Sequence, residues 1–345
     1  MVGRPTIADL AAAAGVSTST INRILHGTGP VRQATIRRVQ DTAEEIGFYG
    51  LGVIEARHKD AVPSVRLGFL LQQSHRELYR MFGENISRAA NDREDFAITA
   101  LIDYVDRLSP ETISDRLLAL GREVDAVALI AEDHPLIGQA IEKLSKQNTP
   151  VVAYITDQSA PSRAGYVGTD NWKLGRTAAW FIAQTSRFDG KVAVFIGNHR
   201  YQCQDMSDAG FRSYMREHAP NLKVSDSIPT HEEPENAYRM VREMLQSEEE
   251  LVGIYMAGGG ISGVLRALRE LEPGSRPLPR LVCRDIGPET RKGLTEGLIT
   301  AALSHPLQRT SAELIDKMLL SLEPREGNAI LQRTLPFEIA IPESM

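Results

Sequence analysis

The sequence predicts an α/β protein in which a small helical head precedes two doubly wound parallel-sheet subdomains. The length of 345 residues corresponds to two or three domains at roughly 100–200 residues each. Residues 6–46 carry helical hydrophobic spacing together with helix-capping residues. From Val65 onward, short apolar segments alternate with amphipathic helices, which indicates parallel sheets covered by helices on both faces.

The composition is that of an ordinary globular protein with a hydrophobic core. Hydrophobic residues make up 42% of the chain and charged residues 24%, which excludes disordered, collagen-like and coiled-coil chains. No apolar run approaches the ~18 residues of a membrane helix, and the first residues lack the pattern of a secretory signal. We therefore expect a cytoplasmic protein with no membrane partner. The two cysteines, Cys203 and Cys283, are too few for a disulfide framework or a thiolate zinc site.

Charge is distributed unevenly along the chain. The net charge is −6, yet residues 1–40 contain five arginines and one acid, Asp9, and so carry +4. Residues 41–345 therefore carry −10. A basic head on an acidic body is suited to contact with a polyanion.

The head contains the strongest motif of the sequence. Two predicted helices, at residues 7–14 with Thr6 as the cap and at residues 18–26, are joined by the turn Ala14-Gly15-Val16-Ser17, and a third follows at about residues 32–46. A tight turn with glycine between two short helices is typical of a helix-turn-helix, whose second helix enters the major groove of DNA. The alternative is a helical hairpin that only docks on the body, which would not need a polar outer face. That face consists of Thr18, Ser19, Asn22 and Arg23, and Ser17 at the helix N-terminus is available to a phosphate.

Polar residues directly after the predicted strands form a candidate pocket, because ligands of doubly wound sheets bind beyond the carboxyl ends of the strands. Asp and Asn suit hydroxyl-rich ligands, since one carboxylate accepts from two neighbouring hydroxyls. For Asp133 the alternative role of a helix cap is equally plausible. The candidates are Ser74, His75, Asp133, Asp170, Asn171 and Asp285.

A glycine-rich segment supports a rival hypothesis. Residues 258–263 satisfy G-x-G-x-x-G between a predicted strand and a helix, and Asp285 follows about 22 residues later. This is the pattern of a dinucleotide-binding loop, so the alternative function is a cytosolic nucleotide- or sugar-binding enzyme. The pattern falls late in the chain, and the glycines would equally let the backbone pass close to a bound small molecule. No catalytic set, metal spacing or phosphate-cradling lysine loop is present in the sequence, so we expect no enzyme activity, cofactor or metal.

The chain resembles LacI-family transcriptional regulators. The similarity is carried, in family order, by residues 6–25, 31–39, 166–179, 209–212 and 282–291. The resemblance implies a homodimer, or a tetramer, that binds operator DNA and closes a periplasmic-binding-protein type I body around a small effector such as a sugar, a polyol or a derivative. It implies base contacts by Thr18, Ser19 and Arg23. It implies further DNA contacts by Thr6, Ser17, Asn22, Val31 and Thr35.

The resemblance also implies the domain boundaries. They are a head at residues 1–47, a hinge or linker at 48–64, a first subdomain at 65–164 and 287–320, and a second at 165–286 and 321–345.

Two positions depart from the family pattern. Arg57 stands where the family has an apolar wedge that kinks DNA, which puts operator bending in doubt. Ser207 stands where the family often has an arginine that binds sugar hydroxyls, so Ser207 is a candidate ligand residue and the effector need not be a plain aldose. A third hypothesis, a solute-binding protein for import, is opposed by the basic head.

Overall fold

The computed structural model describes residues 4–29, 31–54, 62–246, 250–272, 274, 277–324 and 329–345. The chain divides into two compact units, one of Met1–Val65 with Asn91–Thr99 and one of Arg66–Ala90 with Ala100–Met345. None of the helices in the described ranges combines the length and the apolar character that crossing a bilayer requires.

Helices α1 (Ile7–Ala13), α2 (Thr18–His26) and α3 (Gln33–Glu45) form the head. A capping box begins α1, in which Thr6 Oγ1 accepts from the Asp9 amide and the Asp9 carboxylate accepts from the Thr6 amide. Ser17 begins α2 by accepting from the Thr20 amide at 3.2 Å. Between the two helices Gly15 has φ +63°, in the left-handed region that glycine adopts without strain. The turn predicted from the sequence is therefore formed.

The core of the head extends beyond the predicted boundary at residue 47. Phe48 and Ile54 are buried in it, and residues 51–54 are helical, although the sequence predicts a linker from residue 48. Apolar side chains of this segment pack into the core of the head, so the segment is part of the head and not a linker. Arg57, at the predicted wedge position, lies outside the described residues. The buried members of the core are Leu10, Ala11, Ala14, Ile21, Ile24, Ile36, Val39, Ala43, Phe48 and Ile54.

Two six-stranded sheets follow the head. In chain order the strands are β1 (Ser64–Gln72), β2 (Ala97–Val105), β3 (Ala126–Leu129), β4 (Val151–Tyr154), β5 (Gly165–Thr169), β6 (Gly190–Ile196), β7 (Leu222–Pro229), β8 (Leu251–Met256), β9 (Arg280–Arg284), β10 (Ala301–Ser304), β11 (Leu331–Leu335) and β12 (Glu338–Ala340). The first sheet has the order β11-β5-β4-β3-β1-β2 and the second β12-β10-β9-β8-β6-β7. We call the parts built on these sheets the first and the second subdomain.

Both sheets share one doubly wound topology. In each, the chain starts on an inner strand, β1 or β6, adds a neighbour on one side and then continues on the other side. The order therefore reverses between β1 and β3 and between β6 and β8, and such reversals are where ligands bind in open α/β sheets. Pairing is parallel at β1–β3, β3–β4 and β6–β8, whereas the last strand, β12, joins β10 antiparallel.

Helices cover the sheets. In chain order they are α4 (Glu77–Asn91), α5 (Pro110–Leu120), α6 (Pro135–Lys146), α7 (Asn171–Thr185), α8 (Gln202–His218), α9 (Pro234–Gln246), α10 (Ile261–Arg269), α11 (Pro288–Thr295) and α12 (Leu307–Leu322). The central strands β3, β4 and β8 are buried along their whole length, as their unbroken apolar sequences predict.

The subdomain boundaries predicted from the sequence need correction. β5 pairs with β4 in the first sheet, so the chain crosses to the second subdomain after Thr169 rather than at residue 165. β10 pairs with β9 in the second sheet, so residues 301–304 do not belong to the first subdomain. Finally, β11 pairs with β5 and returns the chain to the first sheet before β12 joins the second. These short strands find their partners through long-range pairing, which local patterns do not reveal.

We predict that Gly175 is required for the contact between α7 and α8. A Cβ at this position would lie 1.8 Å from the Ser207 carbonyl oxygen, so Gly175→Ala forces two helix backbones apart. The free energy of unfolding, measured by urea titration, should fall by about 1–3 kcal/mol.

Gly138→Ala is the matched control, because a Cβ there meets only Ala160 Cβ, at 3.9 Å. It should leave the free energy of unfolding unchanged or raise it by about 0.5–1 kcal/mol through helix propensity. Equal effects of the two substitutions would contradict the account of the α7–α8 contact.

Candidate functional site

The outer face of α2 is polar and accessible. Thr18, Ser19, Asn22 and Arg23 are exposed, while Ile21 and Ile24 on the opposite face are buried in the head core. Arg23 donates to the Ser19 carbonyl oxygen and to Thr20 Oγ1, both at 3.4 Å, and forms no ion pair with a carboxylate of the described chain. Its guanidinium therefore keeps donors for an outside partner.

The other predicted DNA-contacting residues lie at the edges of this face. Thr6 and Ser17 are exposed and use their hydroxyls to cap α1 and α2, whereas Val31 and Thr35 near the start of α3 are half-buried. Ser17 still presents the N-terminus of α2, where backbone amides favour a phosphate.

A cavity of about 550 Å³ lies between the two sheets of the second compact unit. It is lined by residues that follow β1 and β4 of the first sheet and β6, β8 and β9 of the second, so it adjoins both points where strand order reverses. Its lining includes Arg76, Tyr79, Phe82, Thr156, Tyr201, Gln204, Glu232, Gly258, Gly259, Arg284 and Asp285. We call this the central cavity, and its size is typical of small-molecule sites.

Hydrogen bonds join the two subdomains beside the central cavity. Arg76 Nη1 lies 3.3 Å from Glu232 Oε2, and both side chains are largely buried. Gln72 Nε2 donates to Tyr201 Oη at 2.9 Å, and Tyr79 Oη donates to Gln72 Oε1 at 2.8 Å. Burial raises the pKa of Tyr79 and of Tyr201, so both hydroxyls stay protonated. The cavity is thus closed by paired polar groups from both sides.

Gln204 organises the second-subdomain wall of the cavity. Its Oε1 accepts from the Gly197 amide at 2.6 Å, and its Nε2 donates to Glu232 Oε1 at 3.0 Å. Glu232 has φ +63°, an unusual conformation for a residue with a side chain, and Thr230 Oγ1 braces the same loop by donating to the Gly259 carbonyl oxygen at 2.8 Å.

A buried relay of three side chains ends at the cavity. Arg284 Nη2 lies 3.1 Å from His305 Nε2, and His305 Nδ1 lies 2.6 Å from Asp285 Oδ1. Because a guanidinium only donates, His305 Nε2 accepts from Arg284 and Nδ1 carries the proton that is donated to Asp285. Burial alone would raise the pKa of Asp285, but the adjacent His305 ring and the Arg284 guanidinium lower it to about 2. Asp285 is therefore an anion that orients His305.

Two of the seven predicted ligand residues, His75 and Asp285, line the central cavity. The other five lie elsewhere. Ser74 donates to Asp106, and Asp133 accepts from Gln202 Nε2 at 2.7 Å beside a separate open groove. Asp170 caps α7 by accepting from the Lys173 amide at 3.0 Å.

Asn171 and Ser207 are buried among neighbouring side chains. Asn171 Nδ2 donates to Tyr166 Oη at 3.4 Å, and Ser207 shares a short hydrogen bond with Tyr255. A buried hydroxyl that is bonded to Tyr255 does not take the place of the family arginine. Local sequence signals do not separate such structural roles from ligand contact, because the same residue types serve both.

The glycines of residues 258–263 are required by contacts within the chain. A Cβ on Gly258 would lie 2.2 Å from the Gly197 amide nitrogen, and one on Gly263 would lie 1.8 Å from the Pro234 carbonyl oxygen. Gly260 has φ +114°. Close packing of loops therefore accounts for the G-x-G-x-x-G spacing, without a dinucleotide.

Several polar cavity residues were not identified from the sequence, among them Arg76, Gln204, Glu232 and Arg284. Arg284 carried the only direct signal, because it is a charged residue at the end of an apolar strand, immediately before Asp285. Arg76, Gln204 and Glu232 lie several residues after the ends of β1, β6 and β7, respectively. At that separation, the position in the sequence does not indicate whether a side chain faces the cavity.

Comparison with known families and structures agrees with this architecture. The profile described as bacterial regulatory proteins, lacI family, matches residues 6–50, and the profile described as periplasmic binding protein domain matches residues 68–319. A sequence search of curated proteins gives no match.

Several solved structures share the fold of the two subdomains. An ABC transporter solute binding protein from Agrobacterium vitis bound with alpha-D-tagatopyranose is 17% identical with a TM-score of 0.72, over 81% of this chain and 95% of that one. A periplasmic solute binding protein from Actinobacillus succinogenes 130z with bound D-allose is 17% identical with a TM-score of 0.70, over 81% and 98%. One from Bacillus halodurans C-125 with bound myo-inositol is 14% identical with a TM-score of 0.69, over 82% and 96%.

The helix-turn-helix of the head and the two doubly wound sheets thus occur in one chain, and each lies within a matched profile. These matches confirm the resemblance to LacI-family regulators that the sequence motifs indicate. The chain therefore combines a helix-turn-helix head of the lacI family of bacterial regulatory proteins with two subdomains that form a periplasmic binding protein domain.

Proposed function

We propose that this protein is a cytoplasmic transcriptional repressor that binds operator DNA as a homodimer or tetramer and is controlled by a small sugar-like or polyol effector. The observation that carries the proposal is the presence, in one chain, of a helix-turn-helix with a free polar face and a cavity of about 550 Å³ between two sheets.

The outer face of α2 supports DNA recognition. Side chains of the recognition helix read base edges in the major groove, and an arginine pairs bidentately with guanine. Arg23 is the one residue of this face with a fork of donors, while Thr18, Ser19 and Asn22 supply shorter polar groups. The charge of +4 on residues 1–40 favours the approach to phosphates.

The central cavity supports binding of a small hydroxylated molecule. It combines the rings of Tyr79, Phe82 and Tyr201 with a few polar groups, as is typical of small-molecule sites. The similar solute binding proteins contain tagatose, allose or myo-inositol, which are all polyhydroxylated molecules of comparable size. We infer an effector of this general class for the present chain.

Control requires an effector that prefers one arrangement of the subdomains. A ligand shifts a conformational equilibrium only by its difference in affinity for the two states. The hydrogen bonds from Gln72 to Tyr201 and from Arg76 to Glu232 exist only when the subdomains are closed on each other. A ligand that contacts both walls of the cavity would add further contacts between the subdomains. In the proposed mechanism, closure of the subdomains alters how the heads of a dimer are placed on DNA.

The direct test has two parts. Selection from a random DNA library with the full-length protein should yield a pseudo-palindromic site, and a thermal-shift screen of sugars, polyols and sugar acids should yield a stabilising ligand. A ligand at 100 times its Kd stabilises the protein by about 2.7 kcal/mol. Enrichment of no sequence in the selection would contradict the proposal.

We predict that Arg23 discriminates between operator and other DNA. Arg23→Ala removes the bidentate donor, so the ratio of operator affinity to random-DNA affinity should fall by about tenfold, corresponding to ~1–3 kcal/mol for one such pair. Fluorescence anisotropy with both DNAs at one salt concentration measures this ratio.

Arg38→Ala is the control for Arg23→Ala, because Arg38 is an exposed arginine on α3. It should weaken binding to both DNAs alike and reduce the salt slope by about 1. Loss of affinity on both DNAs alike for Arg23→Ala would show that Arg23 contacts only the backbone of DNA.

We predict that filling the central cavity abolishes effector binding and leaves operator binding intact. Ser262 lines the cavity at the start of α10, so Ser262→Tyr places a ring in the ligand volume. The rise in Tm with ligand should disappear. Ser159→Tyr, in the separate open groove, should keep it. An unchanged ligand shift in Ser262→Tyr would place the effector site elsewhere.

A further inference from the structure

Arg284 is a buried cation that forms no direct ion pair with a carboxylate of the described chain. Only 9% of its surface is exposed, and it lines the central cavity at the end of β9. Its donors reach His305 Nε2 at 3.1 Å and the Cys203 carbonyl oxygen at 3.5 Å, both uncharged acceptors, and its Nε has no hydrogen-bond partner within the described chain. The Asp285 carboxylate reaches Arg284 only through the ring of His305.

No acidic group around the cavity accepts a hydrogen bond directly from Arg284, because each is bonded to another side chain. Glu232 accepts from Arg76 and Gln204, and Asp285 accepts from His305. At the rim, Glu77 pairs with Arg80 and Glu289 pairs with Arg269.

Part of the unused hydrogen-bonding capacity at the cavity belongs to buried guanidinium donors. Besides Arg284 Nε, Arg76 Nη2 is buried without a partner in the described residues, although Arg76 Nη1 reaches Glu232. Tyr201 Oη accepts from Gln72, which leaves the hydroxyl proton to donate. Such a set needs a ligand rich in acceptors, and a guanidinium favours a carboxylate or a phosphate, whose planar or tetrahedral oxygens match its fork.

We propose that the effector is an anionic sugar or polyol derivative, a carboxylate or a phosphate ester, whose charged group is bound by Arg284 with help from Arg76. This inference rests on the proposed function and narrows its ligand class. His305 and Asp285 act as positioning residues, because the Asp285 anion holds the tautomer that accepts from Arg284 and so fixes the guanidinium at the cavity wall.

The test is calorimetry on the full-length protein with matched sets of probes. Each set contains a neutral sugar, its sugar acid and its phosphate, for example D-glucose, D-gluconate and D-glucose 6-phosphate, with the corresponding galactose, allose and inositol sets. In the preferred set an anion should bind at least about tenfold more tightly than the neutral member, as expected for a charged hydrogen bond. The acid and phosphate arms show which anion is the ligand.

Arg284→Met should remove this preference, reducing anion affinity about ten- to hundredfold and the affinity of the neutral member by much less. Arg284→Lys keeps the charge without the fork and should retain part of the preference. Arg239→Met, which removes an exposed arginine of α9, should bind like the wild type.

Three results would overturn the inference. Binding of neutral members at least as tightly as their anions would do so and leave the proposed function standing. A retained anion preference in Arg284→Met would show that Arg284 does not bind the charged group. Binding of no probe, neutral or charged, would overturn both this inference and the proposed effector.

Discussion

Parallel sheets bring the carboxyl ends of their strands to one edge, and the polar groups of the loops at that edge must find partners. In this chain two sheets with the same doubly wound order of their first five strands present those edges to one cavity. The Gln72–Tyr201 and Arg76–Glu232 pairs satisfy groups of one subdomain with groups of the other. The closed arrangement therefore depends on polar complementarity across the cavity, and apolar contacts hold each subdomain together separately.

In this arrangement, the residues that stabilise each subdomain are different from the residues that would respond to a ligand. The apolar cores beside β8 and β3 lie inside their own subdomains, so that each keeps its fold whatever the state of the cavity. The polar groups at the cavity differ from these cores in that they are incompletely paired. Arg284 and Arg76 each keep a buried donor nitrogen that has no hydrogen-bond partner in the described chain. A site that is incompletely paired without its ligand gains most when an acceptor arrives, and this gain is available only to the closed state. In the proposed function, binding and closure are coupled for that reason.

The sequence predicted the head well because its signals are local. Thr6 with Asp9, the turn at Gly15 and the cap at Ser17 lie within a few residues of the helices they define. The fold class and most strands also followed from local apolar patterns. The sheet membership of β5, β10 and β11 did not, because a strand of four or five residues is assigned to a sheet by partners more than a hundred residues away in some cases.

The cavity was predicted only in part, for a related reason. Asp285 was found because it follows a strand, but Asp170 follows one as well and caps a helix. Whether a polar residue caps, pairs or faces a ligand depends on the distant groups that surround it. Arg284 shows the converse, since its importance lies in the absence of a carboxylate partner within the described chain, and only the assembled structure reveals it.

The central claim is that ligand in the cavity and DNA on the head influence each other. The most direct measurement is a fluorescence anisotropy titration of the selected operator with the full-length protein, at one salt concentration, with and without saturating effector. Coupling between two sites in one protein is typically 5–150-fold, so the account predicts that the operator Kd changes by about tenfold or more. An operator Kd that is the same with and without bound effector would contradict it.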